Sequence, residues 1–423
     1  MTLRETVRLT RELTKEHVGI WVLGKLYGDP LCQLRMRGGG LNPYPTYARI
    51  RATGPLVRSR VGMWVTASHE VCHQVLRDRR FGVRLEPYEP PPPGPLGHEP
   101  GTEWELSLLQ LDPPDHGRLR KLAMPAFSPK MISSHQPRIE AVTHRLLDRA
   151  TRSGEFDLMR DVAGPLPIAV ITDLLGVPDA DADRFAAYGR VVGKALDGVR
   201  TPLQARQLAR TTHDLNELFA DLVRLRRKEP GDDVISTLAA ALDDDALTPR
   251  ELLGICRLLL IAGFETTVNL IGNGMLALLR HPDQWELLRA DPQRASAVVE
   301  EVLRYDPPVQ VTLRTAGEDV ELAGQQLAAG STVVALIGGT GRDPDAYAEP
   351  DRFDVSRQAE VEHLAFSGGR HYCLGAPLAR LEGAVAFQAI AQRLPELVPH
   401  ARPYRRNTFT IRGLSRFPVA AHA

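Results

Sequence analysis

Apolar residues recur every three or four positions along most of the chain, and this period predicts a mainly helical protein. The predicted helices cover residues 3–18, 68–79, 115–127, 136–152, 158–175, 179–196, 203–228, 234–242 and 373–393. The longest helical pattern runs over residues 248–280 and ends at His281 and Pro282. At 1.5 Å per residue this helix would be about 50 Å long, so we expect it to cross one large domain.

Short segments between these helices predict small β-strands. One pair is expected at residues 56–60 and 62–66, further strands at 309–314, 320–327 and 332–336, and a late pair at 408–411 and 416–420. Residues 86–100 are rich in proline, which indicates a loop that either lies on the surface or lines a ligand cleft. Because no linker or repeat interrupts the pattern, we expect one domain over residues 1–423, with residues 1–50 as a helical or irregular lead-in.

Composition and charge narrow the possible functions. The 423 residues are 43% hydrophobic and 25% charged, as in globular proteins, and 52 basic residues balance 52 acidic ones. This balance argues against nucleic acid as the main partner. The first residues have no apolar core and the apolar stretches are short, so neither a secretory signal nor a membrane anchor is expected. Four widely separated cysteines indicate a reducing cytoplasm.

The segment FSGGRHYCLG, residues 366–375, carries the strongest chemical signal. Cys373 is predicted at a helix N-terminus, where backbone amides and the helix dipole would lower the pKa of its thiol. Gly369 and Gly375 would let the backbone approach a flat ligand, and His371 could meet a carboxylate. One thiolate cannot build a zinc site but can bind haem iron as an axial ligand. The alternative is a buried structural cysteine.

The segment AGFETT, residues 262–267, lies inside the long apolar helix. An acid and two hydroxyls are costly to bury there unless they have a role. Thr266 can donate a hydrogen bond back to the carbonyl of Ala262, and together with Glu265 it could relay protons to a bound oxygen. The alternative is a helix with a polar surface stripe.

Two further motifs need weighing. Glu301 and Arg304 lie three residues apart on a helix that ends before Pro307, with Arg352 as a possible third member; alone, such a pair is most often solvated. His69 and His73 belong to an HEVCH segment that matches the HExxH motif of zinc hydrolases. That helix is short and lacks a third histidine, so zinc catalysis is only a remote alternative.

Taken in order, these motifs resemble the cytochrome P-450 family of haem-thiolate monooxygenases, especially its soluble bacterial members. FSGGRHYCLG fits the pattern F-x-x-G-x-x-x-C-x-G in full, AGFETT fits the oxygen-activation motif, EVLR fits E-x-x-R, and PDRF carries the arginine that joins it. The resemblance covers nearly the whole chain. It implies a mainly α, single-domain cytochrome P-450 fold, which is an α-helical triangular prism with small β-sheets.

The resemblance also implies a cofactor, heme b, and roles for individual residues. Cys373 would be the axial iron ligand, and Thr266 with Glu265 would deliver protons. The other residues expected at the haem are Ala262, Phe366, Gly369 and Gly375, with His116, Arg120, Arg314 and His371 in a haem-propionate role.

Three positions depart from the family pattern. Ser367 stands where soluble relatives mostly carry glycine, Gly341 replaces an asparagine, and Glu265 replaces an aspartate. None removes a group that the chemistry requires, although the glycines at 338, 339 and 341 could loosen the loop after their strand.

By resemblance, the chain would insert one atom of O2 into an apolar small molecule by hydroxylation or epoxidation, in specialised-metabolite biosynthesis. Oxidative coupling or desaturation remains the alternative outcome. Electrons would come from a ferredoxin and its reductase. The basic residues that could dock this partner, or could simply be solvated, are Arg118, Arg120, Lys121, Arg370 and Arg380.

Overall fold

Helices form most of the protein, as the period of the apolar residues predicts. The computed structural model describes residues 3–36, 41–84, 107–178, 181–195, 198–199, 201–244, 246–358 and 360–421. In these ranges the α-helices are α1 (Leu3–Lys25), α2 (Pro30–Arg35), α3 (Tyr44–Thr53), α4 (His69–Arg77), α5 (Asp115–Ala123), α6 (Pro129–Ala150), α7 (Pro165–Leu175), α8 (Ala182–Lys194), α9 (Pro202–Lys228), α10 (Val234–Asp243), α11 (Pro249–Arg280), α12 (Pro282–Ala290), α13 (Ala295–Tyr305), α14 (Ile337–Thr340) and α15 (Ala376–Arg393).

The β-strands are short and form small sheets at the edge of the helices. They are β1 (Val57–Arg58), β2 (Trp64–Thr66), β3 (Phe81–Gly82), β4 (Glu155–Asp157), β5 (Thr312–Ala316), β6 (Val320–Leu322), β7 (Gln325–Leu327), β8 (Thr332–Ala335), β9 (Leu397–Pro399), β10 (Tyr404–Arg405), β11 (Leu414–Arg416) and β12 (Pro418–Ala421). The largest sheet has the order β1-β2-β8-β5-β3, with β2 and β8 parallel. The remaining sheets are β4-β12-β9, β6-β7 and β10-β11.

The predicted late strand pair is wrong in its pairing. Residues 408–411 form no strand, because their backbone groups bond to the segment before β5: the Gln310 amide donates to the Thr410 carbonyl, and Ile411 makes an isolated bridge with Val309. β10 pairs with β11 instead, and β12 joins β4 and β9. The proline-rich loop expected at residues 86–100 lies outside the described residues.

The long helix α11 organises the core, as its length predicts. Thr248 and Glu251 form a capping box at its start, and the largest cluster of buried apolar side chains extends around it from Leu108 to Val419. Among the described helices, only α11 has the length and apolarity to cross a membrane, but 83% of its most apolar stretch is buried in the protein.

Prolines and glycines move several helix boundaries from their predicted places. The helix expected over residues 158–175 is split, because Pro165 has no amide hydrogen and Gly164 donates to the carbonyl of Met159 five residues earlier, in a π-helical turn.

The predicted lead-in at residues 1–50 also extends into the core. Tyr47 in α3 is buried, and its hydroxyl donates to Oε1 of Gln310.

The Glu301–Arg304 pair on α13 is buried, not solvated. Arg304 is 3% and Glu301 5% exposed. The guanidinium of Arg304 makes five hydrogen bonds: two to the Glu301 carboxylate and three to the carbonyls of Gly341, Pro350 and Arg352. All five of its N–H donors therefore have acceptors, as a buried arginine requires.

The expected third member of this cluster is a different arginine. The side chain of Arg352 is exposed and pairs with Glu349, and only its carbonyl accepts from Arg304. Arg357 approaches the Glu301 carboxylate instead, with Nε 3.6 Å from Oε2. The spacing in the sequence could not distinguish these arginines, since both lie on the irregular segment that follows α14.

The glycines at 338, 339 and 341 do not loosen the chain as expected. A Cβ at Gly341 would lie 1.9 Å from the Arg304 carbonyl oxygen, and one at Gly338 would lie 2.2 Å from Oε1 of Gln310. The region is buried in and around α14. The glycines are therefore required by close packing against α13 and the segment before β5.

We expect Glu301→Gln to lower the free energy of unfolding by about 3–5 kcal/mol, because it leaves the Arg304 charge buried without its carboxylate. The matched control is Glu349→Gln, which breaks an exposed pair and should cost less than about 1 kcal/mol. Urea unfolding followed by circular dichroism measures both. Equal losses in the two variants would contradict a structural role for the buried pair.

Candidate active site

The loop of residues 366–375, called here the Cys373 loop, presents one accessible sulfur. Of the four cysteines, Cys32, Cys72 and Cys256 are buried and Cys373 is exposed. The backbone amide of Cys373 donates to the carbonyl of Phe366 (2.9 Å), which closes the loop. The α-helix expected to begin at Cys373 begins at Ala376, because Pro377 occupies the first turn and Gly375 is the N-cap.

Two residues of the Cys373 loop have left-handed backbone conformations. Gly369 has φ +60°, and a Cβ there would lie 2.5 Å from the carbonyl oxygen of Leu76, so only glycine fits. Ser367 has φ +63°, which explains why glycine is usual at this position. The Ser367 hydroxyl accepts a hydrogen bond from Arg314 (3.2 Å), a contact that glycine could not make.

The expected lowering of the pKa of Cys373 is wrong for the protein alone. Although Cys373 is exposed by surface area, protein atoms are densely packed around its thiol and desolvate it, which raises its pKa; the amides of Gly375 and Ala376 and the guanidiniums of Arg120 and Arg380 favour the thiolate. The amides and charges are therefore present as predicted, but desolvation outweighs them. A metal cation at the sulfur would deprotonate it.

The centre of α11 has an accessible stripe inside an otherwise buried helix. Ala262 is exposed and Gly263 and Thr266 are half-buried, whereas Ile261 and Phe264 are buried. The hydroxyl of Thr266 donates to the Ala262 carbonyl (2.6 Å), as the four-residue spacing predicts. This stripe leaves room for a ligand against the middle of the helix.

Glu265 lies on another side of α11, because successive helix residues point about 100° apart. Its buried carboxylate accepts a hydrogen bond from Arg406 and one from the amide of Asn269 (3.3 Å). Arg406 also donates to Oδ1 of Asn269 (3.0 Å). A Cβ at Gly193 in α8 would lie only 3.0 Å from Oε2 of Glu265. The acid is thus enclosed by α8 and the β10–β11 region.

Several groups that can carry positive charge gather beside the Cys373 loop. The rings of His116 and His371 are 4.3 Å apart between centroids. Arg120 donates to the carbonyl of Tyr372 (2.8 Å), and Arg314 donates to Ser367. All four residues predicted to bind propionates are thus brought together by α5, β5 and the loop.

Burial keeps these groups less basic than usual. It lowers the pKa of His116 to about 4, with help from the charges of His371 and Arg120, and it lowers the pKa of Arg314 to about 10. Arg314 is buried and makes no ion pair with a carboxylate in the part of the chain that the structure describes. A buried guanidinium without a carboxylate partner is suited to an anionic ligand.

Asp112 is a member of this cluster that sequence reasoning missed. Burial alone would raise its pKa, but the hydrogen bond from His371 and those from the amides of Val83 and Arg84 hold the pKa at about 2. Its carboxylate orients the His371 ring, with Oδ1 3.4 Å from Nε2. Its place in LDPPDH, four residues before His116, was the signal in the sequence that could have indicated it.

Arg406 and Asn269 were also missed. Asn269 is one helical turn after Glu265, so the periodicity of α11 could have suggested the contact. Arg406 belongs to an irregular segment far away in the sequence, and no local pattern indicates that it would reach α11.

These features fit a haem. The group carries an iron that a thiolate can bind, a flat ring, and two carboxylates. The exposed sulfur of Cys373, the accessible stripe at Ala262 and Thr266, and the buried Arg314 offer one partner for each part. Phe366, the first residue of the loop, is buried.

The HExxH segment has a structural role. Nε2 of His69 lies 2.9 Å from the Glu362 carbonyl, and the His73 ring stacks on that of His69. Among the described residues, no group of three or more His, Cys, Asp or Glu side chains is arranged to hold a metal ion. The zinc-hydrolase alternative therefore has no geometric support.

Known proteins resemble this chain over most of its length. The family model described as Cytochrome P450 matches residues 51–410. The chain is 38% identical to cytochrome P450 monooxygenase PikC from Streptomyces venezuelae over 89% of this chain and 91% of that protein. It is also 38% identical to 6-deoxyerythronolide B hydroxylase from Saccharopolyspora erythraea, over 89% and 95% of the two chains.

The fold is shared with solved structures as well. The crystal structure of P450BioI in complex with an acyl carrier protein ligated to hexadec-9Z-enoic acid superposes with a TM-score of 0.84 at 35% identity. It covers 91% of this chain and 100% of that one. From the family model, these relatives and the shared fold, the chain belongs to the cytochrome P450 family and is a monooxygenase.

Proposed function

We propose that this protein holds heme b through Cys373 and inserts one oxygen atom of O2 into an apolar small molecule. The observation that carries the proposal is the exposed sulfur of Cys373 in a loop whose other contacts close it tightly. When bound, a thiolate-ligated haem supplies the activation of dioxygen. The protein contributes ligation, charge, protons and a shaped pocket.

The positive groups beside the Cys373 loop bind the haem carboxylates. Arg314 and Arg120 supply charge and His116 supplies an N–H donor, whereas the N–H of His371 is donated to Asp112, so His371 acts by holding the His116 ring beside it. Because burial lowers the pKa of His116 to about 4, this ring is neutral near pH 7 and acts through a hydrogen bond. Asp112 keeps His371 in position through the contact described above.

Thr266 and Glu265 would pass protons into the space beside α11 where the haem and its ligand would lie. The Thr266 hydroxyl now donates to the Ala262 carbonyl, so it must rotate to donate into the space beside the helix. Glu265 must leave Arg406 before its carboxylate can turn toward Thr266. The Glu265–Arg406 ion pair therefore controls when the Glu265 carboxylate can take part in proton transfer. Thr266 already lies on the accessible stripe.

The substrate is an apolar molecule of specialised metabolism, and the enzyme works in the cytoplasm. The relatives support the substrate class, since one of them is named as a hydroxylase of 6-deoxyerythronolide B. A ligand screen that follows the spin state of the iron identifies candidates, and product mass then tests the reaction. A gain of one oxygen supports the proposal, whereas a loss of two hydrogens would indicate coupling or desaturation.

An acidic ferredoxin, reduced by its own reductase, supplies the electrons and docks near the Cys373 loop. Ion pairs in the structure reduce the number of basic residues that are free to contact the ferredoxin. Arg118 is paired with Asp115 and Glu251, and Arg380 is paired with Glu300. Lys121 and Arg370 make no ion pair within the described residues. These two are the best placed to attract an acidic partner.

Cys373→Ala should abolish the thiolate-type Soret band of the ferrous-CO complex, because the other three cysteines are buried. Cys256→Ala makes the same chemical change at a buried site and should keep the band. Spectra of both variants after haem supplementation provide the measurement. Persistence of the band in Cys373→Ala would refute the assignment of the ligand.

Thr266→Ala should retain haem but divert electrons to peroxide, because the hydroxyl that passes protons is gone. We expect product formed per NAD(P)H consumed to fall severalfold. Thr266→Ser keeps the hydroxyl and should restore most of the yield. An unchanged yield in the alanine variant would exclude Thr266 from proton delivery.

Lys121→Glu should slow reduction by ferredoxin severalfold at low ionic strength, because it reverses an unpaired charge at the docking face. Lys15→Glu, on the exposed face of α1, is the control and should have no effect. Stopped-flow reduction across a range of salt concentrations measures the difference. Equal rates for both variants would place the docking surface elsewhere.

A further inference from the structure

A second cavity lies apart from the Cys373 loop, among α6, α7 and α8. Its volume is about 570 Å³, and its lining includes no residue of the Cys373 loop and neither Ala262 nor Thr266. The floor is apolar and comes from four elements: Val142 of α6, Met159 of the π-helical turn, Ile168 and Ala169 of α7, and Ala186 of α8, with Phe264 of α11 at the base. A volume of this size is within the usual range for small-molecule sites.

Positive charge surrounds this apolar floor. Five arginines line the cavity, against two aspartates, Asp173 and Asp183; the arginines are Arg138, Arg145, Arg149, Arg160 and Arg190. This local excess occurs in a chain whose acidic and basic residues are equal in number, 52 each. We call this site the arginine cleft.

Three of these arginines are exposed and have no ion-pair partner among the described residues. Arg160 is paired with Asp161, and Nε of Arg138 lies 3.9 Å from Asp173. Arg145, Arg149 and Arg190 make neither a hydrogen bond nor an ion pair with any described residue, although the charge of Arg149 is felt at Asp161.

The three arginines of α6 share one face of that helix. Arg138, Arg145 and Arg149 are spaced by seven and four residues, so their side chains project to the same side. Like charges at this spacing repel each other in the free protein. An anion between α6 and Arg190 of α8 would relieve the repulsion and accept hydrogen bonds from several guanidiniums at once.

We propose that the arginine cleft binds a small organic anion with an apolar portion. The carboxylate or phosphate of this ligand contacts Arg145, Arg149 and Arg190, and its apolar portion lies on the floor that includes Ala169 and Phe264. The head group would pair with the arginine charges, and the apolar portion would cover the apolar floor. This inference does not depend on the haem or on the proposed reaction.

The lining of the cleft shares no residue with the accessible stripe of α11 or with the Cys373 loop. α8 rests directly on α11, since a Cβ at Gly189 would lie 3.3 Å from Leu260 and 3.6 Å from Phe264. Phe264 of this contact lines the cleft, whereas the accessible stripe of α11 is formed by Ala262, Gly263 and Thr266. A ligand in the cleft fills a second site, distinct from the substrate pocket.

Isothermal titration calorimetry of the haem-loaded enzyme tests the proposal, with imidazole saturating the iron so that the active site is blocked. Dodecanoate and dodecyl phosphate are the anionic probes, and dodecanol is the neutral probe with the same chain. We expect at least one anion to bind with a stoichiometry of one and at least about tenfold more tightly than dodecanol. Which anion binds better identifies the head group as carboxylate or phosphate.

Variants then locate the binding site. Arg145→Glu combined with Arg190→Glu should weaken anion binding at least about tenfold, and Ala169→Phe should weaken it by filling the floor. Arg210→Glu is the matched control, because Arg210 is exposed on α9, lacks an ion pair among the described residues and does not line the cleft. It should bind the anion like the wild type. Circular dichroism confirms that each variant is folded, and the single variant Arg145→Gln replaces the double variant if that one is not.

Three results would overturn the proposal. The first is no detectable binding of either anion to the wild type. The second is equal binding of dodecanol and the anions, which would show that the arginines contribute nothing. The third is an affinity in the cleft variants equal to that of Arg210→Glu, which would locate the bound anion elsewhere on the protein.

Discussion

The position of one sulfur depends on how tightly the backbone around it is held. The amide of Cys373 is bonded to the Phe366 carbonyl, and the carbonyl of Tyr372 is bonded to Arg120 of α5. Gly369 packs so closely on the end of α4 that no side chain fits there. The loop is therefore fixed by contacts to two helices, and the sulfur stays accessible because the closing contacts are made by the backbone.

The ionisable groups around the Cys373 loop are in unfavourable electrostatic environments unless a ligand is bound. Arg314 is buried without an ion pair among the described residues, and burial lowers its pKa to about 10. The thiol of Cys373 is likewise harder to ionise than a free cysteine. A cation at the sulfur and carboxylates at the arginine would relieve both costs together. The protein thus bears unfavourable electrostatics that one iron-containing, dicarboxylate cofactor would offset.

Two adjacent residues of α11 lie in different environments. Thr266 lies on the accessible stripe of α11, whereas Glu265 is enclosed by Arg406, Asn269 and α8. The acid and the hydroxyl are adjacent in the sequence, but the helical rotation separates their surroundings. Any cooperation between them requires movement of the Arg406 segment, which belongs to the irregular region before β11.

Local pattern was enough to predict most of the longer helices, the position of α11 and the bond from Thr266 to Ala262, but it missed α2, α3 and α12. The predicted features depend on residues within a few positions of each other, so the period of apolar residues and the spacing of the motifs are enough to predict them. Pattern also grouped His116, Arg120, Arg314 and His371, but only by resemblance to a family.

Tertiary structure decided the features that depend on distant segments. These include the burial of the Glu301–Arg304 pair, the choice of Arg357 over Arg352, the contact of Arg406 with Glu265, and the pKa of Cys373. Desolvation and partner choice are properties of how segments pack, and a linear sequence does not record which backbone carbonyls will surround a guanidinium. The sequence by itself therefore determined which groups the protein has and which helices carry them, while packing decided which of those groups are charged, paired or accessible.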